Sequence, residues 1–142
     1  RPSQVTAAES TPDKPLTGEW DWTDKLTKGN LLGTGAFGQV FEGLDQESGV
    51  RYAVKEIDLT RDRMTLEAEA ECRLVLSLRH PSIVQCFGMF EDVSTTRLCL
   101  VLEYISGGTL LDVVTRFGVL KEAVASRYIA QVLRGLVYLH ER

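Results

Sequence analysis

Six residues constrain this chain more than any others: Gly33-Thr34-Gly35-Ala36-Phe37-Gly38. With no Cβ at Gly33, Gly35 or Gly38, backbone N–H groups can come close to an anion. The residues that follow decide what kind of turn this is. A dinucleotide-binding fold places a helix after the last glycine and an acid about 20 residues further on. Here Gln39-Val40-Phe41-Glu42-Gly43-Leu44 alternates and predicts a strand. A P-loop needs Gly-Lys-Ser/Thr, which this stretch lacks. Two readings are left: a glycine-rich hairpin that covers phosphates, and a mobile hairpin tip without a ligand.

The rest of the chain builds outward from that turn. Leu31-Leu32 enters it and Val40-Phe41 leaves it. Asp45-Gln46-Glu47-Ser48-Gly49 is turn chemistry, and Val50 to Ile57 predicts a third strand. Such short connections imply consecutive antiparallel strands. Between Arg61 and Leu78 the period becomes helical, with Glu71, Leu74, Val75 and Leu78 at i, i+3, i+4 and i+7. Cys86–Glu91 and Arg97–Tyr104 predict two more strands around a polar loop at Val93–Thr96. Ser106-Gly107-Gly108 breaks the pattern, and Thr109 with Asp112 has the spacing of a capping box. Val124, Tyr128, Ile129, Val132, Leu136 and Leu139 mark a long amphipathic helix that starts near Lys121 and still runs at the C-terminus. Five strands with one helix inserted, a glycine break and then helices define an α+β fold.

Two charged residues carry the chemistry. Alternation puts Lys55 on the same face as Ala53, and a small residue beside a cation leaves room for something flat next to something anionic. An edge-strand lysine with its amine in solvent explains the same residue less specifically. Glu71 shares a stripe with Leu74, Val75 and Leu78, so the helix directs it inward, where an unpaired carboxylate costs several kcal/mol. Lys55 is its natural partner. Glu67, one turn earlier, is the rival, and Glu69 points to a solvated side.

Composition removes several classes of function. Sixteen Lys+Arg against twenty Asp+Glu leave a net charge of −4, which argues against a nucleic-acid or anionic-membrane surface. The longest apolar run, Leu98-Cys99-Leu100-Val101-Leu102, falls far short of the roughly 20 residues that span a bilayer. Cys72, Cys86 and Cys99 are too few and too scattered for a disulfide framework or a zinc cage, and predict reduced core thiols in a cytoplasmic protein. Residues 1–17 hold three of the four prolines and read as a flexible lead-in, with the apolar pattern starting at Trp20. The chain begins with Arg1 and ends at Arg142 inside a helical pattern, so it reads as part of something longer.

Taken in order, these segments resemble the first half of a eukaryotic protein kinase domain over about residues 28–142. Leu32 to Val40 matches the Gly-rich loop, and Ala53-Val54-Lys55 matches the V-A-I-K strand. Glu71 falls where the inner helix carries its glutamate, nine residues before His80-Pro81-Ser82-Ile83-Val84, which is similar to the family's H-P-N-I-V stretch with Ser82 replacing Asn. Leu98–Gly108 resembles the fifth strand and hinge, and Lys121–Arg142 the long helix before the catalytic loop. The lead-in from Trp22 to Lys28-Gly29, His80–Val84 and Glu103 to Leu110 look most like mitogen-activated protein kinase kinase kinases. The resemblance implies a five-stranded antiparallel N-lobe with one inner helix over about 26–105, a hinge at 103–108, and the first helices of a C-lobe over 109–142, within a partial domain over 18–142.

It also implies roles. Leu32, Val40 and Ala53 would sandwich adenine, Leu102 would be the gatekeeper, and the backbones of Glu103 and Ile105 would bond the adenine edge. Amides of Gly33, Thr34, Gly35, Ala36, Phe37 and Gly38 would cover the phosphates of ATP, and Lys55 paired with Glu71 would hold the α/β-phosphates. Thr109 stands where some relatives carry a ribose-binding acid. The implied activity is serine/threonine phosphoryl transfer to a downstream kinase. The implied aspartate base and Mg²⁺ ligands belong to H-R-D-x-x-x-x-N and D-F-G, expected beyond residue 142, since His140-Glu141-Arg142 is not an H-R-D. No metal ligand is assigned within the chain. The rival reading is a non-catalytic truncated or pseudokinase module that binds nucleotide or a partner, and it predicts an exposed stripe at Tyr128, Val132 and Leu136.

Overall fold

The computed structural model describes residues 24–35, 38–58 and 66–142, and for residues 66–71 the backbone alone. The lead-in over 1–17, Trp20, Trp22, Ala36, Phe37 and the Glu71 side chain lie outside the described residues. Five strands run β1 (Leu26–Gly35), β2 (Gly38–Asp45), β3 (Arg51–Asp58), β4 (Cys86–Asp92) and β5 (Arg97–Glu103). Helix α1 (Leu66–Ser77) is inserted before β4, and α2 (Leu110–Phe117) and α3 (Glu122–His140) follow β5. The strands form one antiparallel sheet in the order β1-β2-β3-β5-β4. This is the α+β architecture that the residues predict. No helix among the described residues is long and apolar enough to cross a membrane.

Local chemistry explains the connections. Between β2 and β3 the Asp45 carboxylate accepts hydrogen bonds from the Glu47 and Ser48 amides and the Ser48 hydroxyl, at 2.9, 3.3 and 2.6 Å. The Ser48 hydroxyl holds the Asp45 carboxyl below its ordinary 3.8. Gly49 closes this turn at φ +72, where a side chain would be strained. Val50 belongs to the turn rather than to the strand, because its carbonyl accepts the Asp45 N–H. Tyr104 likewise leaves the ladder expected of it, and the Arg51 guanidinium lies over its ring at 4.5 Å. The last two residues close α3 as a turn, with the Glu141 N–H bonded to the Val137 carbonyl, so the helix stops at His140.

The sheet has a core on each face. On one, Cys72 of α1 packs with Cys86 and Leu100, flanked by Ile57, Val75, Leu76 and Leu102. On the other, Tyr52 and Val101 pack with Leu26, Val50, Phe87 and Phe90, and the Tyr52 and Phe87 rings meet edge to face at 5.5 Å. The inner face of α1 therefore centres on Cys72, Val75 and Leu76. Leu74, expected on the inner stripe, is 54% exposed. Val75 and Leu78 are turned inward as expected, and Cys72 rather than Leu74 completes the buried face. All three cysteines are free and buried, and burial pushes the thiols of Cys86 and Cys99 up to about 11.

The segment after α1 ties the helices to the sheet. The Arg79 N–H donates to the Tyr138 hydroxyl at 3.0 Å, and the His80 ring stacks on Tyr138 at 5.0 Å. Gly135, buried in α3, lets Ser82 approach so closely that a Cβ there would lie 3.1 Å from the Ser82 carbonyl. The rest of α3 is open: Ile129, Val132, Leu133 and Val137 are all more than half exposed. Because Leu100 anchors the core that joins α1 to the sheet, Leu100→Ala is expected to cost about 2–5 kcal/mol in chemical denaturation of the domain.

Candidate functional site

The antiparallel register assigns every candidate residue to a face. Lys55 sits opposite Val40 on β2 and Leu100 on β5, and Ala53 sits opposite Glu42 and Leu102. Val40, Ala53, Lys55, Leu100 and Leu102 thus share the face on which α1 packs, with α1 over the β4 side of it. Ala53 is buried, whereas Val40, Lys55 and Leu102 are half-buried. Ala53 puts a small side chain between Glu42 and Leu102 on this face, with Lys55 two residues along the same strand. Alternation alone predicted that Lys55 and Ala53 share a face, and the register agrees. Pairing of Lys55 with Glu71 falls outside the described residues, since the Glu71 side chain does.

Beyond β2, at the edge of the sheet, lies the most exposed strand. β1 pairs with β2 from Leu26↔Asp45 to Gly35↔Gly38, with irregularities between Lys28 and Leu31 and between Leu31 and Gly33. Leu32 stands at the second irregularity and is 45% exposed. A Cβ built on Gly33 or Gly35 meets nothing within 4 Å, so the backbone there borders open space. Gly38 is glycine for another reason. Its φ is +140 and a Cβ would overlap the Glu56 carbonyl oxygen. The sequence reading gave all three glycines one purpose; the structure separates two that leave backbone bare from one that lets two strands touch.

Past Leu102, β5 ends at Glu103 and the chain enters the connection to α2. The Glu103 N–H donates to the Gln85 carbonyl at 2.8 Å, and the Gln85 N–H returns to the Glu103 carboxylate at 3.3 Å. Sequence reasoning passed over Gln85, because its bond is made by backbone and depends on the β4–β5 pairing. Ile105 is half exposed and takes part in no hydrogen bond among the described residues. Gly108, at φ +71, then turns the chain into α2. There the expected capping box is present: the Thr109 N–H and hydroxyl donate to Asp112 at 2.7 and 2.6 Å, and the Asp112 N–H donates to the Thr109 hydroxyl at 3.1 Å. Those bonds hold the Asp112 carboxyl below its ordinary 3.8. They also engage the Thr109 hydroxyl as both donor and acceptor.

On the opposite face, a cavity of about 150 Å³ is lined by Leu26, Lys28, Val54, Glu56, Phe90 and Cys99 among others. Among the described residues, none of the sequence-predicted site residues lines it. Among the described residues, no group of three or more His, Cys, Asp or Glu side chains is disposed to hold a metal ion.

A five-stranded antiparallel sheet, a helix on one face, glycines on the edge strand and a clamped connection into helices together define one lobe of a kinase domain and the start of the next. The chain belongs to the protein kinase domain family, whose model matches residues 26–142. It is 40% identical over 118 residues to a probable serine/threonine-protein kinase of Dictyostelium discoideum, covering 82% of this chain and 23% of that protein. It is 38% identical over 120 residues to mitogen-activated protein kinase kinase kinase 3 of Arabidopsis thaliana (81% of this chain, 19% of the relative). It is 35% identical over 118 residues to the human protein named mitogen-activated protein kinase kinase kinase 3 (80% and 19%). The chain spans about a fifth of the length of these relatives.

The two kinds of glycine separate experimentally. Gly38→Ala is expected to cost about 1–3 kcal/mol from the left-handed backbone alone, before any displacement of β3. Gly33→Ala and Gly35→Ala are expected to stay within about 0.5 kcal/mol of wild type. Thermal or denaturant unfolding of the three variants checks this.

Proposed function

We propose that this chain is the ATP-binding portion of a serine/threonine protein kinase that transfers the γ-phosphoryl group of ATP to a downstream kinase in a mitogen-activated protein kinase cascade. The observation that carries the proposal is the shared face: the register places Val40, Ala53, Lys55 and Leu102 on one side of the sheet, and Gly33 and Gly35 on β1 leave backbone bare. Apolar walls fit a flat base and exclude water from it, while the main chains of Glu103 and Ile105 would give its edge donors and acceptors. Leu32 and Val40 would close on the base from the β1–β2 side. The Lys55 ammonium would neutralise phosphate charge, and the amides from Thr34 to Gly38 would cover the phosphates. Glu71 would hold Lys55 in place from α1 and so make activity depend on where that helix sits.

The residues fit a nucleotide at its base and phosphates better than at its ribose. The Thr109 hydroxyl is already committed to Asp112, and a threonine offers no carboxylate to a sugar. Mg²⁺, which would neutralise and orient the phosphates, is assigned to ligands beyond residue 142, as is the aspartate that accepts the substrate's proton. The names of the relatives support the serine/threonine and cascade readings. Three free, buried thiols support a reducing, cytoplasmic setting. The charge balance and the short apolar runs argue for a protein substrate rather than nucleic acid or membrane.

Lys55→Met tests the reading. In the full-length kinase it is expected to abolish phosphoryl transfer while leaving the unfolding transition in place. The 142-residue chain on its own is expected to bind ATP and to transfer nothing. Transfer by the pure chain that vanishes in Lys55→Met would overturn the division of labour. Undiminished transfer by the full-length Lys55→Met kinase would overturn the role of Lys55.

A further inference from the structure

The residue after Lys55 faces the other way and does something the reading above does not use. Glu56 is only 11% exposed at its side chain, yet both carboxylate oxygens are engaged. Oε1 accepts from Lys28 Nζ of β1 at 2.5 Å, and Oε2 accepts from Arg97 Nη1 of β5 at 2.5 Å. The Lys28 ammonium also lies 3.6 Å from the centre of the Phe41 ring on β2. One carboxylate therefore ties β1, β3 and β5 directly, and β2 through Lys28. The Glu56 main chain does a second job, because the close approach allowed by Gly38 is made onto its carbonyl.

These contacts matter because they tie β1 to strands beyond β2, its only ladder neighbour among the described residues. β1 is an edge strand, exposed at every residue after Leu26, and its ladder with β2 is interrupted twice before the glycines. Lys28 precedes both interruptions, and Gly38 ends the hairpin. One end of the segment that carries Gly33 and Gly35 is thus tied by charge to Glu56, the other lies close against the Glu56 main chain, and Glu56 adjoins Lys55. The charge pairs are short, and the carboxylate is shielded from water, so the tether is stronger than an exposed ion pair.

We propose that Glu56 is a positioning residue: by holding Lys28 and seating Gly38, it sets the distance between the glycine-rich hairpin and Lys55, and so the affinity for the phosphates of a bound nucleotide. This rests on the ATP reading above. It goes beyond that reading in predicting an effect confined to phosphates, from a side chain on the face away from the nucleotide.

The test compares ATP with adenosine, which lacks phosphates, by calorimetry on the full-length kinase. Glu56→Gln keeps the shape and removes the charge. It is expected to weaken ATP several-fold and to leave adenosine unchanged. Lys28→Met cuts the same tether from its half-exposed end and keeps β3 intact, so it serves if the Glu56 variant does not fold. It is expected to give the same ATP-selective loss, and in the double variant the two losses should not add. Faster amide exchange over Gly33–Gly38 should accompany the loss in either variant. Equal weakening of ATP and adenosine would make Glu56 merely structural and overturn the proposal, as would unchanged ATP affinity in both variants. If wild type binds neither ligand, the ATP reading falls and takes this proposal with it. If wild type binds both and the variants do not discriminate, only this proposal falls.

Discussion

Everything in this molecule depends on the register of its central strand. β3 pairs with β2 on one side and β5 on the other, and side chains on a strand alternate between faces. Lys55 is adjacent to Glu56, so a slip of one residue would exchange them. The ammonium would then point at Lys28 and Arg97, and the carboxylate would join Val40 and Leu102 on the α1 face. Both faces penalise that exchange. Tyr52 and Val54 would lose their burial, and Ala53 would no longer leave space beside Leu102. Apolar packing and charge pairing specify the same register, and the face that carries the candidate nucleotide site is a consequence of it.

The second constraint is the joint between sheet and helices. Two connections cross it near each other. Residues 79–83 dock on α3 through Tyr138 and the missing side chain of Gly135. The β5 exit is held by reciprocal bonds between Gln85 and Glu103. The segment leading into β4 thus touches both the β5 exit and the long helix. At the other end of that connection, the Thr109–Asp112 box starts α2 at a defined residue. This arrangement leaves Ile105, between clamp and cap, as the stretch of main chain not committed to either side.

Much of this was readable from residue order because the signals are local. Alternation gave the strands, Asp45 and Gly49 gave a turn, and Thr109 with Asp112 gave a cap whose bonds span only three residues. What was not readable depends on which strands become neighbours. Glu56 looks like a solvated charge next to Lys55 until β1 and β5 bring Lys28 and Arg97 to it. Gly38 looks like its two companion glycines until the Glu56 carbonyl is placed beneath it. Leu74 was expected inside because leucine outweighs cysteine in any hydrophobic stripe, yet Cys72 occupies the centre of the buried face. Family resemblance supplied roles for Leu102, Glu103 and Ile105 that no pattern within the chain distinguishes from ordinary packing.

The central claim is that one face of the sheet, and not the other, receives the nucleotide. Mapping amide chemical-shift changes on titration with ATP tests it most directly. The account predicts that the changes concentrate at Gly33, Gly35, Val40, Ala53, Lys55, Glu103 and Ile105, with Phe90, Asp92 and Cys99 on the opposite face unmoved. Changes centred on the cavity beside Phe90 and Cys99, with Ala53 and Ile105 silent, would contradict it.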